Sequence, residues 1–281
     1  MRPSPFVALG LTGLLAVAGS QVQNRQVQVG YCTPLANLEA AKAAGFDYAE
    51  LGTSEIAGLS DAEFDQAAAR IRQLGLPVPA MNLFLPATLK VTGPAIDRDQ
   101  QMAYVRRALA RQERVGTTIV VFGSGPARLV PDGFSKDQAF QQLVEFGRRI
   151  APEARVRGIT IAVEPLRPEE TNIINSAAEG LALVNAIGDP NFQLMVDFYH
   201  MASAKEDPAI IVRARDHIRH LHMANPEGRV FPRASGEYDY APFFEALRTI
   251  GYDKRISIEA SAKNLEADAP LAIALVRRAF R

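Results

Sequence analysis

Short runs rich in apolar and β-branched residues alternate along the chain with longer segments of helical periodicity. In the helical segment 139–150, for example, apolar residues recur every three to four positions, at Phe140, Leu143, Phe146 and Ile150. The short runs predict eight strands: Gln28–Tyr31, Tyr48–Leu51, Val78–Asn82, Thr118–Phe122, Thr160–Glu164, Gln193–Asp197, Ile218–His222 and Ile256–Glu259. Strands that alternate with helices pair in parallel, so the pattern predicts an α/β fold.

Eight strand–helix units in about 260 residues predict a single-domain (β/α)8 TIM barrel over residues 21–281. The competing fold is a doubly wound open sheet, which needs a glycine-rich phosphate turn after its first strand. The segment GYCTPLANLEAA after the first predicted strand offers no such turn. The glycines of FGSGPAR, at 122–128, lack the third glycine of that motif. The pattern therefore favours the closed barrel.

The first twenty residues differ in kind from the rest. Arg2 precedes an apolar stretch at 6–18, and the polar segment GSQVQNRQ follows it. A charge, an apolar core and small residues such as Ala18 and Ser20 predict a secretory signal peptide over residues 1–20. The stretch is too short for a comfortable membrane span. The alternative to a signal peptide is a poorly ordered first helix of the protein. We expect a periplasmic or secreted protein, without stable membrane association after signal removal.

Composition excludes several classes of function. Lys+Arg and Asp+Glu both number 31, so no net field attracts the protein to nucleic acid or to an anionic membrane. No basic run is interleaved with aromatic residues, and we expect no nucleic-acid partner. Cys32 is the only cysteine, which excludes an intrachain disulfide and a cysteine-based zinc cluster.

The fifth to eighth predicted strands each end on a residue that can bind a metal ion: Glu164, Asp197, His222 and Glu259. In a (β/α)8 barrel these strand ends share one rim. Any one of the four could be a solvated acid or a core histidine, but their coincidence predicts a divalent-cation site. An oxygen-rich set favours Mn²⁺, with Mg²⁺ or Co²⁺ as alternatives, over Zn²⁺. His220 also points inward and is expected to fill a lower layer or to touch the substrate.

These residues lie in the segments VEPLRPEETNIINS, MVDFYHMAS, HLHMANPEGR and ISIEA. Together the segments resemble the sugar isomerase/epimerase family with the xylose-isomerase-like barrel, which includes ketose 3-epimerases and hydroxypyruvate isomerase. The resemblance spans nearly the whole chain after the predicted signal peptide. It implies metal binding by the four strand-end residues and contacts to substrate oxygens by Glu170 and His200. It also implies a substrate-binding arginine after the metal histidine, either Arg229 or Arg233.

The site and the resemblance together indicate proton transfer at carbon. A cation bound to a carbonyl and its neighbouring hydroxyl acidifies the carbon-bound proton. Glu164 and Glu259 are the pair expected to remove and return it, through a cis-enediolate. Return to the same carbon gives epimerisation, and return to the neighbouring carbon gives isomerisation. We expect a metal-dependent isomerase whose partner is a small keto-sugar; a homo-oligomer is compatible with this.

Arg167 departs from the family pattern, which frequently has Asn after EPL, and this leaves the sugar specificity open. Arg167 could bind an anionic or larger sugar, or pair with Glu169. Arg128 is a candidate anion contact, and Glu50 could reach the site or form an ion pair. Three residues after the third predicted strand could form a pocket wall or serve packing: Asn82, Phe84 and Pro86.

Other functions stay open at this point. The same proton abstraction followed by β-elimination would make an exported, metal-dependent 3-keto-glycoside lyase or hydratase. A barrel that lost its base would be a non-catalytic sugar-binding module. An endonuclease IV-like zinc enzyme is disfavoured, because the sequence has only four histidines and no basic groove.

Overall fold

The computed structural model describes Met1 and residues 27–281, so the apolar stretch of the predicted signal peptide lies outside the described residues. The strands are β1 Gln28–Cys32, β2 Tyr48–Gly52, β3 Ala80–Asn82, β4 Ile119–Phe122, β5 Thr160–Val163, β6 Phe192–Asp197, β7 Ile218–Met223 and β8 Arg255–Ile258. The helices are α1 Leu38–Ala43, α2 Thr53–Gly58, α3 Asp61–Leu74, α4 Arg98–Arg114, α5 Gly125–Arg128, α6 Lys136–Arg155, α7 Ala177–Ile187, α8 Phe198–Ser203, α9 Ala209–Arg213, α10 Ala241–Thr249 and α11 Leu265–Ala279. A 3-10 turn, Leu35–Asn37, precedes α1.

The strands close into one barrel in the order of the sequence, with β8 paired to β1. Each pairing is parallel, as strand–helix alternation predicts, and the single (β/α)8 barrel is confirmed. The third predicted strand begins two residues late, at Ala80. The predicted start, Val78, lies between Pro77 and Pro79. Because proline has no N–H to donate to a neighbouring strand, the ladder begins only after Pro79.

Local sequence signals bring the chain back to each next strand. Ser60 caps α3 in a reciprocal capping box with Glu63, and Gly75 ends the helix with a φ of 67°. Ser176 caps α7, and Gly188 ends it with a φ of 71°. Positive φ at a helix end favours glycine, because a Cβ strains that conformation. None of the helices in residues 27–281 combines the length and apolar character needed to cross a membrane.

Side chains fill the lower part of the barrel interior. Tyr48 lies there with five smaller apolar residues: Ala80, Ile119, Val121, Ala162 and Met195. The Tyr48 ring presses so closely on Gly30 that a Cβ at that glycine would lie 2.2 Å from it. The larger apolar core lies between the strands and the surrounding helices. Space for a ligand is therefore at the mouth, where the carboxyl ends of the strands meet.

Candidate active site

Four strand ends bring their polar residues to one point at the mouth. Glu164 follows β5, Asp197 ends β6, His222 lies in β7 and Glu259 follows β8. One ligand atom from each lies within 4.8 Å of the others. The Nδ1 atom of His222 is 3.3 Å from Glu164 Oε1 and 3.4 Å from Glu259 Oε2. Gly123 makes room for this arrangement, since a Cβ there would lie 2.3 Å from Glu164 Oε2.

Several atoms of this cluster are buried without a hydrogen-bond partner: Glu164 Oε1, Asp197 Oδ2 and His222 Nδ1. Each such orphaned group costs about 1–3 kcal/mol. A divalent cation between them would satisfy all three and would offset the mutual repulsion of the carboxylates. The donor set therefore fits a metal ion.

A buried carboxylate beneath the cluster orients His222. Glu50, in the middle of β2, has its Oε1 atom 2.9 Å from His222 Nε2. Its Oε2 atom lies 2.7 Å from His220 Nε2 and accepts the Ser257 hydroxyl at 2.5 Å. Burial alone would raise the pKa of Glu50, but the adjacent His222 and His220 lower it strongly. Burial lowers the pKa of His222, but the nearby carboxylates Glu50 and Glu259 raise it well above its usual value. The ionised Glu50 accepts the Nε2 proton of His222, so Nδ1 faces the cluster and can bind a cation there once it loses its own proton.

The acids of the cluster differ in their affinity for protons. Burial, together with the charges of Glu259 and Glu164, raises the pKa of Asp197 to about 8. Burial also raises the pKa of Glu164. For Glu259 the burial effect is outweighed by His222 and Arg229, which lower its pKa to about 2. Two carboxyl groups with pKa values pushed apart are typical of acid–base pairs in active sites.

Two arginines and a tyrosine form the wall beside Glu259. The Nη2 atom of Arg229 lies 2.6 Å from Glu259 Oε2, and its Nη1 atom lies 3.3 Å from Glu170 Oε1. Arg167 Nε lies 2.9 Å from the same Glu170 oxygen. Both guanidinium groups stack on Tyr199, at 4.6 and 5.1 Å from the ring centre. Glu170 and this arginine pair thus border the cluster, and Arg167 pairs with Glu170 more closely than with Glu169, which lies 3.9 Å away.

His200, at the start of α8, turns one ring nitrogen toward the cluster. Its Nδ1 atom accepts the backbone N–H of Arg167 at 3.3 Å. Its Nε2 atom therefore carries the proton, and it lies 3.6 Å from Asp197 Oδ2 and 4.0 Å from Glu164 Oε1. Burial lowers the pKa of His200 to about 3, so the ring is neutral. It can donate one hydrogen bond to an oxygen bound at the cluster.

Some residues singled out in the sequence lie elsewhere. Arg233 is 52% exposed and pairs with Glu237 and Asp268, outside the pocket. Arg128, a candidate anion contact, is instead fully buried and donates to the carbonyl oxygens of Phe122 and Glu164.

Other flagged residues fall into the lower layer or the core. His220 fills a lower layer beside Glu50. Phe84 packs in the core against Phe122, whereas Asn82 and Pro86 line the pocket. The Sγ atom of Cys32 lies 3.8 Å from His222 Nε2.

The sequence does not reveal two contributors, the Tyr199 platform and the Ser257–Glu50 contact. The amide of Asn82, a candidate pocket-wall residue, lies 3.1 Å from Glu259 Oε1. Tyr199 lies between Asp197 and His200 in sequence, and Ser257, in β8, is two residues before Glu259. That proximity to proposed ligands is the only local signal for Tyr199 and Ser257.

The fold and the carboxylate–histidine cluster define a (β/α)8 barrel with a polar site at its mouth. The chain belongs to the Xylose isomerase-like TIM barrel family, whose sequence model matches residues 38–279. An L-ribulose 3-epimerase from Mesorhizobium japonicum is 27% identical over 230 residues, which cover 79% of this chain and 73% of that protein. The relatives also include a second L-ribulose 3-epimerase and a 2-oxo-tetronate isomerase.

Solved structures share the fold. A D-allulose 3-epimerase from Methylomonas sp. has a TM-score of 0.77 at 22% identity and covers 91% of this chain and 98% of its own. A 3-keto-D-glucoside 4-epimerase from E. coli has a TM-score of 0.75 at 21% identity, with coverage of 90% and 100%. At these identities the likeness concerns the barrel alone.

Proposed function

We propose that the protein is a divalent-metal-dependent sugar epimerase that moves a proton at the carbon beside the carbonyl of a keto-sugar. The observation that carries the proposal is the pair of carboxylates, Glu164 and Glu259, that face the same free nitrogen of His222. The 3-epimerase relatives support epimerisation, in which the proton returns to the same carbon.

The cation would be held by the four strand-end residues: Glu164, Asp197, His222 and Glu259. Their oxygen-rich set suits Mn²⁺ best, with Mg²⁺ or Co²⁺ as alternatives. When bound, the cation supplies Lewis-acid polarisation of the substrate carbonyl.

Glu259 is the base in this proposal. Its side chain is 20% exposed to the pocket, and Arg229 and Asn82 hold its two oxygens. The lowered pKa keeps it ionised and ready to accept the carbon-bound proton. Glu164 is more buried, and its raised pKa favours the protonated form, so it carries the proton that returns to the opposite face of the carbon. In the reverse direction the two glutamates exchange these roles.

Two further groups stabilise the negative charge that develops on the substrate oxygens. His200 donates a hydrogen bond from its Nε2–H group, and the guanidinium of Arg229 lies beside Glu259. Donors fixed before the reaction stabilise the transition state more than mobile water does.

The test is deuterium exchange from heavy water into a panel of ketoses and 3-keto sugars, followed by NMR with Mn²⁺, Mg²⁺ or Co²⁺ present. We expect metal-dependent exchange at the carbon beside the carbonyl and its loss in Glu259→Gln. The exposed Glu245→Gln variant is the matched control. Absence of exchange from every sugar with every metal would refute the proposal.

Export is a separate proposal, which rests on the sequence at 1–20 alone. N-terminal sequencing of the protein recovered from the periplasm or medium tests it. A chain that stays in the cytoplasm with residues 1–20 attached would refute it.

A further inference from the structure

The pocket at the mouth extends far beyond the metal-binding cluster. Its volume is about 660 Å³, within the range of sites that enclose ligands much larger than a single sugar ring. The proposed metal ligands come from the ends of β5 to β8. The other half of the pocket follows β1 to β4, which lie across the barrel, and we call it the distal wall: Pro34, Glu55, Leu83, Pro86, Ala87 and Pro126. A single sugar ring would fill only part of a pocket of this volume.

The distal wall is built in advance of any ligand. The backbone N–H of Ser54 donates to Leu83 O at 3.2 Å, and the N–H of Leu85 donates to Ser124 Oγ at 2.9 Å. These bonds join the segments that follow β2, β3 and β4. Leu83 and Ser124 have φ values of 47° and 42°, a conformation that is uncommon for residues other than glycine. Strained residues that recur around one pocket point to function.

Leu83 is also exposed in an unusual way for a large apolar residue. It is 56% accessible and faces the pocket together with prolines. Apolar side chains of this kind pack against the C–H face of a sugar or an aromatic ring. Glu55 adds a carboxylate whose oxygens accept the Leu35 N–H at 3.1 and 3.2 Å, and a carboxylate retains further acceptor capacity for hydroxyl groups.

The charge of the lining disfavours an anionic ligand. Its charged residues are four glutamates and one arginine: Glu55, Glu164, Glu170, Glu259 and Arg229. Arg229 is already paired with Glu170 and Glu259. Among the described lining residues no cationic side chain is left unpaired to receive a phosphate or carboxylate of the substrate, so a neutral ligand is favoured.

We propose that the substrate is a neutral keto-glycoside, with its keto ring at the metal-binding cluster and its second ring, a sugar or an aromatic group, on the distal wall. The placement of the keto ring rests on the proposed function. The distal wall as a second-ring site rests on the pocket alone.

The test compares metal-loaded protein acting on phenyl 3-keto-D-glucoside, free 3-keto-D-glucose and the 6-phosphate of the free sugar, by deuterium exchange. We expect kcat/KM for the glycoside to exceed that for the free sugar at least tenfold, and the phosphate to be the poorest. In Leu83→Asn, which tolerates a positive φ, the glycoside-to-free-sugar ratio should fall at least fivefold. Leu271→Asn, an exposed leucine on α11, should leave the ratio unaltered.

A ratio of one or below in the wild type, or a preference for the phosphate, would overturn the inference whatever the variants do. If none of the sugars exchanges, the proposed function fails, and calorimetry with unreactive phenyl glucoside then decides the inference separately. Binding that Leu83→Asn weakens at least fivefold supports the second-ring site, and absence of binding overturns it.

Discussion

Replacing Glu50 with glutamine tests how the metal-binding cluster is held. The carboxylate of Glu50 is completely buried and accepts three donors: His222 Nε2, His220 Nε2 and the Ser257 hydroxyl. Glutamine has the same shape, but one of its two oxygens becomes an NH₂ donor. That NH₂ group faces either His222 or the His220–Ser257 pair, so one of these contacts is lost.

The magnitude follows from the role of Glu50 as the second partner of a metal-binding histidine. If the NH₂ group faces His222, the ring keeps its proton on Nδ1 and cannot bind the cation without changing tautomer. Replacing such a partner weakens metal affinity about 10–100-fold, which corresponds to about 1.4–2.7 kcal/mol. The lost hydrogen bond to a charged group also lowers the free energy of unfolding by about 1.5–3 kcal/mol.

Isothermal titration with Mn²⁺ and urea denaturation of the metal-free protein measure the two effects. Glu245→Gln, a surface glutamate on α10, is the matched control. Because a merely structural loss would lower stability without a matching loss of affinity, the titration is the decisive arm. Mn²⁺ affinity within twofold of the control would refute the role assigned to Glu50.

Three further predictions concern protons and arginines. Mn²⁺ affinity should rise between pH 6 and 8, because burial raises the pKa of Asp197 to about 8 and the cation needs the ionised form; a flat profile in titrations across this range would contradict it. Arg229→Ala should lower kcat/KM about 100-fold, whereas Arg233→Ala should change it less than about twofold; equal losses in steady-state assays would contradict the placement. Arg128→Met should lower the free energy of unfolding, measured in urea, by about 1–3 kcal/mol, because two buried carbonyl oxygens lose their donor. Unaltered stability would contradict a stabilising role for these two hydrogen bonds.

The barrel and the positions of its four strand-end residues could be predicted from the sequence because each depends on local pattern. Apolar runs separated by amphipathic segments specify parallel strands, and a polar residue at the end of such a run falls on the rim. Glu164 and His222 belong to this class. Their positions on the rim can be predicted without knowing which residues face them across the barrel.

The rest of the site depends on contacts between residues distant in sequence. The sequence does not distinguish a pocket position from an ion pair for Glu50, because the partners that orient its side chain, His220 and His222, lie 170 and 172 positions away. Arg229 and Arg233 were equivalent candidates until the chain geometry was known: Arg229 adopts a φ of 49°, which periodicity does not reveal. Arg128 looked like a pocket cation but turns inward from α5 to bind backbone carbonyls.

We propose that one cation is shared by residues at the ends of four neighbouring strands. Anomalous diffraction from a crystal grown with Mn²⁺ tests it most directly. We expect a single strong peak in direct contact with Glu164, Asp197, His222 and Glu259. A peak at the neighbouring group of Cys32, Glu50 and His222, or no peak at the mouth, would contradict the account.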